Sequence, residues 1–152
     1  MKFLTALISG PHKFTGSGVN HEGENFTATL LLQPLVAGSA LMFHYVATRA
    51  VDGVQVHSEA TLLGSSADGS LCLWPVMVEL PFVLPHVQKA ITTSADGGVS
   101  VVFASGPRDD MSVFREEISI QLKPSGSLVY AHSWGMPGGD FAERSGCEFR
   151  PE

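Results

Sequence analysis

The side chains of this 152-residue chain that could do chemistry are few and dispersed. Six histidines stand at His12, His21, His44, His57, His86 and His132. None forms the paired spacing of a zinc-binding helix, and neither Cys72 nor Cys147 lies close enough in sequence to complete a known finger. A lone strand histidine is more often hydrogen-bonded or exposed than a ligand. His132 stands out because strand alternation puts it on one face with Leu128, Tyr130 and Trp134, where an inward imidazole would face a pocket. Glu116 lies between Phe114 and Ile118 on an apolar face, and a carboxylate there is costly unless paired. Three readings stay open for it: a bulge turns it to solvent, a buried Arg or His pairs with it, or its pKa is raised for acid–base work. His57 and Glu59 share the polar face of their strand, as do His44 and Met42 of theirs, so the spacing leaves open which faces line the interior. No Ser–His–Asp context, phosphate loop or Gly-x-Ser-x-Gly elbow is present. The candidate ligand-binding residues are therefore His132, Tyr130, Trp134, His44, Glu116 and Arg49. No catalytic residue and no metal site is assigned.

Positioning these residues falls to a run of hairpins. Asp52-Gly53, Asp68-Gly69, Asp96-Gly97-Gly98 and Ser125-Gly126 each separate β-favouring segments, and glycine supplies the positive φ that tight hairpin turns require. Looser connections fall at 106–110 and 136–140. Strands are predicted over 12–20, 25–33, 40–50, 54–64, 70–78, 87–94, 98–105, 112–122, 127–134 and 141–150, the even spacing of a sandwich or barrel. Phe114, Glu116, Ile118, Ile120 and Leu122 alternate against Arg115, Glu117, Ser119 and Gln121. Val54, Val56, Ser58, Ala60 and Leu62 oppose Gln55, His57, Glu59 and Thr61 in the same way. Nothing between 12 and 150 offers a long helical period, which excludes parallel βαβ units. Phe3, Leu4, Leu7 and Ile8 fall at helical spacing, so a short N-terminal helix is expected in preference to a signal peptide. The expected fold is one all-β domain over 1–152: an antiparallel up-and-down barrel of about ten strands with a short N-terminal helix, closed because consecutive hairpins otherwise leave two exposed edges. The apolar stretch 74–86 carries Pro75, Pro81 and Pro85, so it is expected to be an edge, a bulge or an ordered loop over one barrel end. As a functional element it would be a hydrophobic portal or a subunit interface.

Composition narrows the function classes. Hydrophobic residues make up 44% and charged residues 16%, which excludes a disordered chain. Nine basic against fifteen acidic side chains give a net charge of −6 with no Lys/Arg cluster, which argues against nucleic acid. No apolar run approaches a membrane span, and a cytoplasmic location follows by default. Two cysteines are too few for a disulfide scaffold; they read as buried free thiols, with a single bridge left open.

The glycine-spaced first strand Gly10-Pro11-His12-Lys13-Phe14-Thr15-Gly16-Ser17-Gly18, preceded by a short helix and followed by an antiparallel meander, resembles the calycin barrels: the lipocalins, fatty-acid-binding proteins and haem-binding nitrobindins. The segment from Tyr130 to Cys147 also resembles the end of an uncharacterised family of small lipocalin-like proteins. The resemblance implies that Phe14, where lipocalins carry Trp, packs under Arg144 or Arg150 at the closed end, worth about 0.5–2 kcal/mol. By the same resemblance to nitrobindin, a histidine of the C-terminal half could hold haem iron.

Together these readings favour a barrel that binds a small, largely apolar molecule, as a monomer or homodimer. The alternatives are a barrel enzyme or haem protein using a pocket His or the Glu116/His132 couple, and a ligand-free interaction or structural protein joined through residues 74–87.

Overall fold

The computed structural model describes residues 2–152. A helix α1 (Lys2–Ser9) precedes ten strands: β1 (Lys13–Val19), β2 (Asn25–Leu35), β3 (Ala40–Arg49), β4 (Gln55–Ser65), β5 (Leu71–Met77), β6 (His86–Thr93), β7 (Val99–Ala104), β8 (Arg115–Leu122), β9 (Leu128–Gly135) and β10 (Ala142–Pro151). Every strand pairs antiparallel with its sequence neighbours, and β1 pairs with β10 to close the barrel. The four tight turns form where the sequence marks them, with Gly53, Gly69, Gly97 and Gly126 all at positive φ.

Alternate hairpins of an up-and-down barrel lie at opposite ends. The β2–β3 end is closed by α1, whose Phe3, Leu4 and Leu7 are buried in the main core. The apolar spacing of Phe3, Leu4 and Leu7 thus forms a plug. The middle of the barrel is filled by Leu30, Leu41, Phe43, Val101, Phe103, Ile118, Ile120 and Phe149, each at most 1% exposed. The opposite end carries the β1–β2, β3–β4, β5–β6, β7–β8 and β9–β10 connections and is where the candidate residues gather.

Closure depends on close approach of β1 and β10. A Cβ on Gly18 would come within 2.0 Å of the Gly146 carbonyl oxygen and 2.6 Å of the Phe26 ring, so only glycine fits this register. Gly18→Ala is expected to cost about 2–3 kcal/mol through overpacking, lowering the melting midpoint by roughly 4–12 °C. Gly106→Ala, where a Cβ would meet nothing within 4 Å, serves as the neutral control in the same thermal melts.

The proline-rich segment divides in two. Trp74 to Met77 belong to β5, because β5 pairs with β4 along its length but with β6 only through Cys72↔Val87 and Leu73↔His86, so Pro75 lies on an otherwise unpaired side. Residues 78–85 form a loop with Val78, Phe82 and Val83 exposed. Cys72 and Cys147 are both free and buried, on strands β5 and β10, which are not neighbours; the bridge left open in the sequence does not form. No helix among the described residues is long and apolar enough to cross a membrane.

Candidate functional site

The face of β4 that points inward is the polar one. His57, Glu59, Thr61 and Leu63 turn into the barrel, with Glu59, Thr61 and Leu63 fully buried, while Trp74 of β5 packs outside against Gly64. Glu59 is the centre of a buried polar cluster. Its Oε1 accepts hydrogen bonds from the Tyr130 hydroxyl at 2.6 Å and from the Thr61 hydroxyl. Its Oε2 faces His57 Nε2 at 3.1 Å and His132 Nε2 at 3.0 Å. His57 in turn engages Glu79 through Nδ1 at 2.7 Å. Burial disfavours the Glu59 carboxylate, yet hydrogen bonds and charge from His132 and His57 outweigh it and hold the group well below the usual carboxylate range. Burial likewise opposes the charged His57, but Glu59 and Glu79 outweigh it and raise the imidazole to about 9. The Tyr130 phenol is pushed up by burial and by the adjacent Glu59 charge, so it stays a donor. Tyr45 stacks edge-on against Tyr130, His57 and Phe149 and walls the cluster from the apolar core.

Above this floor a cavity of about 490 Å³ opens at the end opposite α1. Its apolar walls come from Met77, Leu80 and Phe82 on one side and Phe114, Trp134 and Met136 on the other, with His57, His132 and Glu116 reaching it from below. A larger depression of about 700 Å³ lies elsewhere, on the outer face of β10, β1, β2 and β3, where Gly16, Ser17 and several threonines leave the strands thinly covered. It holds no buried polar group.

The rim is fixed from outside. Arg115 is 2% exposed and donates Nε to the Arg108 carbonyl at 2.7 Å, Nη1 to the Met136 carbonyl at 2.6 Å and Nη2 to the Gly139 carbonyl at 2.6 Å. One guanidinium thus ties the β7–β8 loop to the β9–β10 loop. Glu117, on the same outer face, accepts a two-pronged pair from Arg108 and a bond from Lys89.

The structure gathers four of the six sequence candidates here. His132, Tyr130, Trp134 and Glu116 all belong to the cavity or its floor. Two require correction. His44 is exposed on the outer face of β3, because its neighbours Phe43 and Tyr45 take the inward positions. Arg49 lies at the end of β3 and pairs with Glu24 and Asp52 at the surface instead of entering the barrel. The arginine-over-Phe14 contact is also absent among the described residues: a bulge at Arg144 carries its guanidinium to the open end, 4.8 Å from the centre of the Trp134 ring, and Arg150 points outward. Glu116 is inward and buried, but its partner is His86, not His132: His86 Nε2 stands 3.1 Å from Glu116 Oε1 without hydrogen-bond alignment, while His86 Nδ1 engages the Leu84 carbonyl. Glu59 and His57 were visible only as neighbours on a polar face. The signal that marks them is that this face runs through Thr61 into Leu63, so burial continues past the charges.

No family model matches the chain, and no curated protein matches it. Among solved structures, the crystal structure of Rv2717c from M. tuberculosis superposes with a TM-score of 0.78 at 13% identity, covering 100% of this chain and 98% of that one. A de novo designed fluorescence-activating β-barrel aligns with a TM-score of 0.49 at 12% identity over 97% of each chain. The first of these likenesses establishes a shared barrel fold.

Proposed function

We propose that the protein binds a small, largely apolar molecule with one polar end, held in the open-end cavity with that end on the His57–His132–Glu116 floor. The observation that carries this reading is a cavity of about 490 Å³ walled by aromatic and aliphatic side chains over a buried, hydrogen-bonded polar cluster. Orientation by a few polar groups within an apolar wall is the usual division of labour in such sites.

The two tryptophans make the test direct. Trp134 lines the cavity, whereas Trp74 packs on the outside of β5. Titration with an apolar anionic dye such as anilinonaphthalene sulfonate is expected to show one site of about micromolar affinity, with quenching of tryptophan emission. Trp74→Phe keeps the quenching and Trp134→Phe removes it. Absence of saturable binding, or quenching that follows Trp74, contradicts the reading. Native mass spectrometry of freshly purified protein then gives the mass of any resident molecule.

A second reading, proton transfer at the cavity wall, is favoured by the Glu116–His86 pair. With His86 Nδ1–H donated to the Leu84 carbonyl, two acceptor atoms face each other at 3.1 Å unless a proton lies between them. Such a buried carboxyl–imidazole pair beside a cavity is the arrangement acid–base chemistry uses.

A further inference from the structure

The polar floor contains a donor set that binding of an apolar body does not use. One donor atom from each of His57, Glu59 and His132 lies within 4.8 Å of the other two, and Glu59 Oε2 stands 3.1 Å from His57 Nε2 and 3.0 Å from His132 Nε2. We propose that His57, Glu59 and His132 bind one divalent transition-metal ion of the Zn(II) or Co(II) type, with a coordination position toward the cavity left for water or for the polar end of the ligand. The metal site stands on this geometry alone; only the use of its open position rests on the reading above.

Four observations support it. Two imidazoles and one carboxylate are the donor types that hold such ions, and three protein ligands with one open position is the pattern of accessible sites. Metal–ligand bonds of about 2.0–2.2 Å place tetrahedral donors roughly 3.3–3.5 Å apart, so two edges of the triangle are already nearly correct and the third closes by turning one ring. The outer hydrogen bonds aim the donors inward. Glu59 Oε1 is occupied by Tyr130 and Thr61, so Oε2, the oxygen both imidazoles already face, is the one that would turn to a metal. His57 gives Nδ1 to Glu79, which fixes Nε2 as its ligating nitrogen, the carboxylate–histidine–metal arrangement. Finally, the charges suit a cation. Glu59 and Glu79 face two imidazoles, and a metal lets both rings be neutral ligands while His57 keeps its Nδ1–H for Glu79.

The protein is stripped with EDTA, desalted and titrated with Co(II) in the absence of any organic molecule. Expected are one equivalent per chain, visible ligand-field bands stronger than those of aqueous Co(II), and their loss on adding Zn(II). His132→Ala abolishes the bands, and the exterior control His44→Ala keeps them. Glu79→Gln changes a half-exposed side chain, so it folds, and it weakens binding about 10–100-fold by loosening His57. The site is overturned by a wild type that takes up no Co(II) up to about 0.1 mM, by bands that survive His132→Ala, or by unchanged affinity in Glu79→Gln. Dye binding measured in EDTA separates the two claims: dye without Co(II) bands removes the metal site alone, and bands without dye binding remove the apolar-ligand reading alone.

Discussion

Arg115→Lys is expected to lower the melting midpoint by roughly 10 °C, corresponding to about 3 kcal/mol, and to abolish dye binding in the cavity. The reason lies in what the guanidinium reaches. Arg115 is buried, and its described hydrogen bonds are to three backbone carbonyls from two loops and to the Met111 sulfur. A fork of fixed N–H directions reaches all three carbonyls together; an ammonium on a flexible stem cannot, so the tie between the two loops is lost. Met136, one of the tethered residues, forms part of the cavity wall, so the loops that open are those that shape the site. Gly135→Ala should reproduce the defect from the other side, because a Cβ there would stand 2.8 Å from the Arg115 guanidinium carbon. Differential scanning calorimetry with dye titration on both variants measures the pair. A native-like melt for Arg115→Lys would mean that the loops are held by other contacts.

Glu59→Ala is expected to cost about 3–5 kcal/mol, the range for removing one partner from a buried charged network. The substitution removes the carboxylate that the Tyr130 and Thr61 hydroxyls and two imidazoles share. The network also sets a pH profile in the metal-free protein. His57, raised to about 9 from 6.5, contributes stability that is complete below pH 6.5 and fades as pH rises through about 9. Glu59, lowered from 4.5, contributes stability that is present above pH 4.5 and fades as pH falls through its folded value. Wild type should therefore show its highest melting midpoint between these limits. Glu59→Ala should be flatter at both ends. Urea denaturation at pH 4, 7 and 10 measures this, and parallel profiles for the two proteins would contradict the role given to Glu59.

The fold was legible because its signals are local. Gly53, Gly69, Gly97 and Gly126 each sit where a tight reversal needs positive φ, and the predicted strands match the observed ones to within about two residues, except that β8 starts at Arg115 rather than 112. Residues 112–114 instead belong to the rim loop that Arg115 and its neighbours hold. The site was only partly legible, because which face of a strand turns inward is decided by partners far along the chain. On β9 the inward set was readable, since Tyr130 and His132 alternate with smaller residues. On β4 both faces mix polar and apolar residues, and the polar one wins because Tyr130, His132 and Tyr45 surround Glu59 from β9 and β3. Arg115 and Glu117 share the face of β8 opposite Ile118 and Ile120, outside the barrel, yet both are buried. Long-range loop packing covers them, and no spacing in the sequence announces it. His44 was misplaced for the converse reason: a histidine between Phe43 and Tyr45 belongs to solvent once the aromatics take the interior.

The claim on which the functional account depends is that the cavity over Glu59 is where a ligand goes. Backbone amide shift mapping by ¹⁵N-resolved NMR during a dye titration tests it most directly. Perturbations are expected to concentrate at Met77 to Phe82, Phe114, His132 to Met136 and Glu59. Shifts confined to the outer groove around Gly16, Thr27 and Thr48, with the Glu59 cluster unmoved, would contradict it.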